Sequence, residues 1–558
     1  MVEDNNSDKN GNSRIQRKRE DIATILIDFE SAKNELSQRQ YARQIGIPRT
    51  TFQHWLSRKG VLDAEPELID FFESPVGIAF LHRMITAAHF EFCENGPASI
   101  HNISNFLKLS KLDSFVGASY STQRNVGEKM DKVINEFGEF EGKRLAKKMP
   151  EKWITLCEDE TFHPAICMVA IEALSNFIIL EQYVENRDAQ TWNKVVGKAL
   201  EGLPVKVIQV TSDEARGLKS HAEKGLGVHH SSDVFHVSQE IVKGTSGALA
   251  SAVKKAEKQV ETTDRQKQKE MQRKEQYDNQ AKRPRGRRPD FEKRIAESHE
   301  HKSQAKDNLD AARQNQEIVQ QANREIGKKY HPFDPETGVK QDQKKISELL
   351  ESNFEKIYGA IDGLTDRCKK RVEKAHRVVK GMVGNIAFFF ILISQYMDNM
   401  ELTAHEQQIM NDYLIPGFYL QQVACKEKNR CRKDTISDKS EALLSILSES
   451  DGPLSKYSAD RINNLVRAAK DCAGFFQRSS SCVEGRNAQL SLRHHGIHRL
   501  SSQHLQALTV IHNYYIKRRD GTTAAERFFE AKHNDLFEWV LDRMDYPVRP
   551  RKRLSKAA

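Results

Sequence analysis

Paired cysteines are missing from this chain. Its eight cysteines are scattered along 558 residues. None forms a CxxC pair, and Cys425 and Cys431 stand too isolated to make a zinc knuckle. The pattern excludes a disulfide framework, fits reduced thiols, and leads to an expectation of no structural zinc. Aromatics are sparse, at 8% against 30% charged residues, which points to much solvated helix rather than buried sheet. Charge of one sign is barely in excess, with 87 Lys and Arg facing 78 Asp and Glu for a net +9. A mildly basic soluble protein satisfies that sum as well as a phosphate binder does, so the distribution of charge matters more. The amino terminus, Met1 to Glu20, has no apolar core of a secretion signal. The most apolar run, Ile386 to Ile393, is too short to span a bilayer. The expectation is a soluble intracellular protein with no membrane partner.

What is present suggests three or four domains. Residues 1–18 read as a disordered tail. Over 19–62, Ser37 caps a short helix carrying Tyr41, Ala42 and Ile45 inward. Gly46 allows a tight turn, and a second helix from Pro48 or Arg49 buries Phe52, Trp55 and Leu56. This reads as a helix-turn-helix, with Arg49, Thr50, Gln53, His54 and Arg58 on the open face able to reach base edges and phosphates. A plain helical hairpin has similar apolar spacing. Residues 63–150 read as a helical connector.

The pattern turns to strands at 151–240. Trp153 to Asp159 is an apolar run ending in carboxylates. Ala165 to Ala173 and Phe177 to Val184 flank a turn at Leu174-Ser175-Asn176. Asp188 caps a helix, Val205 to Thr211 is a further strand ending at Ser212-Asp213, and a short strand follows near Gly227 to His230. Three antiparallel strands followed by crossovers to parallel ones is the RNase H-like order, so an α/β core is expected. Residues 241–475 read as a charged helical and coiled insertion. It carries a basic loop at 282–289, with Arg283, Arg285, Arg287 and Arg288. That loop fits non-specific DNA binding, an AT-hook in a minor groove, or an inert turn. Residues 476–545 return to helices of the core, and 546–558 is a basic tail.

Two-metal phosphoryl transfer needs carboxylates from separate elements around two Mg²⁺ ions, because hard cations take oxygen ligands. Asp159 and Asp213 stand at the ends of strands one and four, which are neighbours in an RNase H-like sheet. Strand alternation turns Glu158 and Glu160 to the opposite side. A third carboxylate is offered by Glu484, with Asn487 at i+3 on the same helix face.

The run Val483-Glu484-Gly485-Arg486-Asn487, followed by Arg493, His494, His495, Gly496 and His498, resembles the glutamate helix of bacterial insertion-sequence DDE transposases. So do Asp233-Val234-Phe235-His236 and the stretch from Leu508 through Phe529. The resemblance implies that Asp159, Asp213 and Glu484 are the metal-binding triad, with Glu526 and Glu530 as fallbacks for the third ligand. It implies Mg²⁺, with Mn²⁺ as a substitute, and double-stranded DNA, both transposon ends and target, as substrate. It also implies a homodimer or higher oligomer on DNA, associated with the bacterial nucleoid. His236, Arg486 and Asn487 join the expected DNA contacts, and packing or DNA phosphate is favoured over zinc for the histidine cluster. The alternative is a transposase descendant that binds DNA as a regulator without catalysis.

Overall fold

The computed structural model describes residues 19–58, 62–162, 165–281, 286–449, 451–478, 480–496 and 500–550. The tail at 1–18, Arg283 and Arg285 of the basic loop, His498, and the basic tail past Pro550 lie outside the described residues.

Three short helices open the described chain: α1 (Arg19–Ala32), α2 (Gln38–Gln44) and α3 (Arg49–Leu56). Ser37 and Gln40 form a reciprocal capping box at the start of α2, which satisfies two backbone donors that helix ends otherwise leave free. Gly46, at φ 69°, makes the turn into α3, a left-handed conformation that costs glycine little. Phe29, Tyr41 and Phe52 meet at ring separations of 4.9–5.5 Å to close a small core.

The expected connector is more than a connector. It holds α4 (Pro66–Phe72), α5 (Pro75–Ala88) with a π-helical continuation His89–Asn95, α6 (Ile100–Leu109) and the 27-residue α7 (Tyr120–Ala146). Leu81, Ile85, Ile103, Leu107 and Phe115 form a core of their own. Phe90 and the Met130, Ile134 and Phe137 stripe of α7 pack onto the sheet.

That sheet is mixed. Strands β1 (Lys152–Phe162), β2 (Ile166–Glu172) and β3 (Phe177–Val184) run antiparallel, while β4 (Val205–Ser212) and β5 (His229–Ser232) lie parallel to β1. The order is β3-β2-β1-β4-β5. The β2–β3 turn forms where the buried Glu172 carboxylate accepts the Leu174 and Ser175 backbone N–H groups, at 3.0 and 2.7 Å. Between β3 and β5 come α8 (Ala189–Leu200), capped by Asp188, and the short α9 (Arg216–Ser220). One correction concerns β1: it runs three residues past Asp159 to Phe162, so Asp159 lies inside the strand rather than at its end. Pairing with Met168 and Cys167 of β2 extends it.

Helix α10 (Val234–Asp278) and α11 (Phe291–Lys329) form a long hairpin. Ion pairs Glu257–Arg313, Asp264–Lys302 and Lys274–Glu292 fix its antiparallel register. The helical segment starts earlier than position 241, because Asp233 caps α10 by accepting from Phe235 N at 2.7 Å. A helical body follows: α12 (Gln343–Ala360), α13 (Asp366–Asp398), α14 (Ala404–Ile409), α15 (Ile415–Lys426), α16 (Arg430–Leu444) and α17 (Ala459–Gly474). Helix α13 contains the run Ile386 to Ile393, and its 33 residues are long and apolar enough to cross a membrane. Here Val372, Val379, Ile386, Phe389 and Ile393 are buried against the other helices of this body.

The chain then returns to the sheet through α18 (Ser481–Gly496), α19 (Ser502–Tyr514), α20 (Ala524–Phe529) and α21 (Leu536–Arg543). Alternation along β1 separates two faces. Ile154 and Leu156 face α7, α8, α20 and α21. Cys157, with Cys167, Val169 and Ile178, faces Val483 and Leu490 of α18 and Leu505 and Leu508 of α19.

Candidate metal centre

Asp159 and Asp213 reach the same level of the sheet through an irregularity. The β1–β4 register runs from Lys152 opposite Val205 to Ile154 opposite Val207, then jumps to Thr155 opposite Gln209. Ile208 is an extra residue in β4. The shifted register continues to Cys157 opposite Thr211, so two residues on Asp159 stands level with Asp213. Without the extra residue Asp159 would stand beside Ser212, and the Asp213 side chain would leave from the other face.

Glu484 comes from the first turn of α18, over the same sheet face. Asn487, one helical turn on, donates from Nδ2 to Asp159 Oδ2 at 2.9 Å. His236 of α10 bridges the remaining gap, its Nε2 3.8 Å from Glu484 Oε1 and 3.9 Å from Asp233 Oδ2. Asp213 Oδ1 accepts from Ala215 N at 2.8 Å, and Asp213 lines one cleft with Glu214, Asp233, His236, Glu240 and Lys374. Burial pushes the Asp159 carboxyl up to about 7. The Glu160 N–H and His236 oppose the rise, while the charges of Glu484 and Asp213 add to it.

The donors are oxygen-rich, the kind hard divalent cations take. Glu484, Asp213 and the His236 imidazole are the charged neighbours of Asp159, and Asn487 Oδ1 and His236 Nε2 are buried without hydrogen-bond partners.

Glu158 and Glu160 do not share it. Glu160 accepts from Trp192 Nε1 at 3.0 Å and Glu158 lies 3.4 Å from His221, both on the α8 side of the sheet. The fallback acids are committed elsewhere: Glu526 completes a capping box with Thr523, and Glu530 pairs with Arg467 at 3.3 Å.

Several expected DNA contacts are placed differently. Arg486 is turned inward, its Nε and Nη2 on Glu181 at 2.8 and 2.7 Å with the side chain 6% exposed. It clamps α18 to β3. Asn487 faces Asp159. Arg58 is half-buried, and its guanidinium is lowered to about 10 by burial and by Arg549, so it turns from the open face toward the chain's end. Arg549, a residue of the expected basic tail, is itself bound to Glu73. Arg49, Thr50, Gln53 and His54 are exposed on α3, and Arg287 is exposed in the basic loop. Arg288 lies 3.2 Å from Asp278 and 3.6 Å from Glu292. His494 Nε2 lies 3.4 Å from the Tyr183 hydroxyl.

Two further residues stand at the site: Asp233, which the sequence places at its edge in either a phosphate-side or a structural role, and Lys374, which it does not mark. Asp233 Oδ2 accepts the Ser480 N–H at 3.0 Å and the Ser480 hydroxyl, so it latches α10 to the start of α18. Lys374 reaches the cleft from α13, 4.0 Å from Glu240; among so many lysines no local signal marks it.

The profile of a family described as a family of unknown function (DUF6399) matches residues 410–556, a stretch that includes Glu484 and α18. No curated protein matches the chain.

Proposed function

We propose that this chain is a DDE-type transposase, a divalent-metal nuclease and strand transferase built on an RNase H-like core. The observation that carries the reading is that Asp159 of β1 feels the charges of both Asp213, just past β4, and Glu484 of α18, with Asp213 lining the cleft and Glu484 3.8 Å from His236 on its wall. The sheet order supports it: three antiparallel strands, then two parallel strands beside β1. The helices between β5 and α18 fit an insertion ahead of the glutamate helix.

Asp159, Asp213 and Glu484 would hold the ions, with Asn487 orienting Asp159. Bound Mg²⁺, or Mn²⁺ in its place, supplies a lowered pKa for the attacking water or 3′-hydroxyl and stabilises the leaving oxygen. The chain's own part is placement. The Asp233 latch holds the start of α18, from which Glu484 reaches the His236 side of the cleft. Arg486 fixes the same helix from its other side. Lys374 and His236, on the cleft wall, are placed to meet the phosphate of an entering strand. In this reading α1 to α3 form a helix-turn-helix whose Arg49, Thr50, Gln53 and His54 face the major groove. The α10–α11 hairpin carries basic residues to a second DNA segment or a second copy of the chain.

The test uses a supercoiled plasmid carrying the DNA that flanks the chain's own gene. Wild type should nick it with Mg²⁺ or Mn²⁺, and Asp159→Asn, Asp213→Asn and Glu484→Gln should each abolish nicking while retaining DNA binding. A wild type that binds this DNA but never nicks it would leave the regulator reading in its place.

A further inference from the structure

A second cluster of metal-ligating groups lies away from the cleft. Glu94 of the π-helical turn, Asp131 of α7 and His504 in the first turn of α19 bring one ligand atom each within 4.8 Å of one another. His504 Nδ1 is 2.8 Å from Asp131 Oδ1 and 3.2 Å from Glu94 Oε2. The His504, Asp131 and Glu94 side chains are 15%, 10% and 3% exposed.

The hydrogen bonds do not close. A ring nitrogen carries one hydrogen, and that of Nδ1 is spent on Asp131. Glu94 Oε2, buried and aimed into the cluster, has no hydrogen-bond partner, and neither has His504 Nε2. An imidazolium between two carboxylates therefore leaves a net negative charge in a buried site. It also leaves an unsatisfied N–H on a charged ring, which is expensive.

A divalent cation removes both defects. It balances two carboxylates and a neutral imidazole, gives Oε2 a partner, and leaves only a neutral N–H unpaired. Ligand atoms of a tetrahedral zinc site stand roughly 3.3 Å apart at bond lengths near 2.0–2.1 Å; the imidazole nitrogen here stands 2.8 and 3.2 Å from the two carboxylate oxygens, and all three atoms lie within 4.8 Å. The mixture of one imidazole and two carboxylates suits zinc better than magnesium.

The ligands are also held in place by other contacts. Arg493 of α18 donates to the Glu94 and Asn95 carbonyls at 2.6 and 2.8 Å. Asn135 donates to the Gln503 carbonyl at 3.0 Å and Gln503 to the Glu128 carbonyl at 2.8 Å, joining α7 to α19 on both sides of the cluster.

We propose that Glu94, Asp131 and His504 form a structural zinc site that staples the π-helical turn, α7 and α19 together and braces the turn gripped by Arg493. The expectation of no structural zinc weighed cysteine and histidine spacing, and this site uses neither cysteine nor local spacing. The proposal is independent of the transposase reading.

The experiment takes the full chain, strips it with a chelator, and holds it in excess Mg²⁺ so that the carboxylate cleft is occupied. Zn²⁺ is then added, the protein desalted, and bound zinc measured. Wild type should keep one zinc per chain, release protons on binding, and melt several degrees higher than the stripped protein. Co²⁺ in its place should give visible d–d absorption. His504→Gln and Glu94→Gln should each keep none, whereas Asp159→Asn should keep it, which separates this site from the cleft. If His504→Gln does not fold, Glu94→Gln decides. Wild type keeping no zinc, or Glu94→Gln keeping as much as wild type, overturns the proposal.

Discussion

Asp159 is both the residue on which the functional reading most depends and a strained one energetically. It is buried among like charges, with two neutral donors, Glu160 N–H and the Asn487 amide, as its hydrogen-bond partners. Asp159→Asn should therefore abolish nicking yet raise stability by about 1 kcal/mol in metal-free buffer. Calorimetry with and without Mg²⁺ checks this, and the stabilisation should vanish or reverse when the metal is present. A second residue gives a pH prediction. Arg461 hydrogen-bonds Glu406 at 2.6 and 2.9 Å and, with Thr403, holds its carboxyl at about 2 despite burial. The folded value is depressed, so the stabilisation is complete above the unfolded value of about 4.3 and is lost as pH falls toward 2. Melting curves of wild type and Arg461→Ala should differ most above about pH 5 and converge as pH falls toward 2.

At the scale of elements, α18 is the part whose placement decides the site. Its apolar side, Val483 and Leu490, sits on the sheet, Arg486 pins it to Glu181, and the Asp233 latch holds its start. Asp233→Asn leaves one oxygen to serve donors from both Phe235 and Ser480. It should cost roughly 1–3 kcal/mol and reduce nicking, while DNA affinity in a gel-shift titration stays unchanged. The α10–α11 hairpin behaves differently. Among the described residues Ala256, Phe291 and Ala305 are the buried apolar side chains of its outer half, so that half adds little to any core. Replacing residues 258–303 by a short linker should leave the melting temperature within a few degrees. The salt dependence of DNA binding should become shallower, by about one unit of slope for each DNA phosphate the hairpin had neutralised.

The whole molecule joins a mixed sheet, a large helical body and a small N-terminal bundle, and these were unequally legible in sequence. Strand runs with buried alternation marked β1 to β4, and alternation alone turned Glu158 and Glu160 away from Asp159. The Ile208 irregularity that brings Asp213 level was invisible, because an extra residue in a strand leaves no compositional trace. Arg486 read as a DNA contact because its buried partner, Glu181, lies far off in the chain. Glu94, Asp131 and His504 escaped for the same reason: each looks like an ordinary residue on an amphipathic helix until the fold assembles them. Long-range pairing, rather than local pattern, carries what sequence could not show. The proposed activity stands or falls on whether Asp159, Asp213 and Glu484 hold metal together. Anomalous diffraction from crystals of the full chain soaked in Mn²⁺ measures that directly. At least one Mn²⁺ peak should appear among these three carboxylates and be absent in Asp213→Asn; a wild-type map with no peak there at saturating Mn²⁺ would contradict the transposase reading.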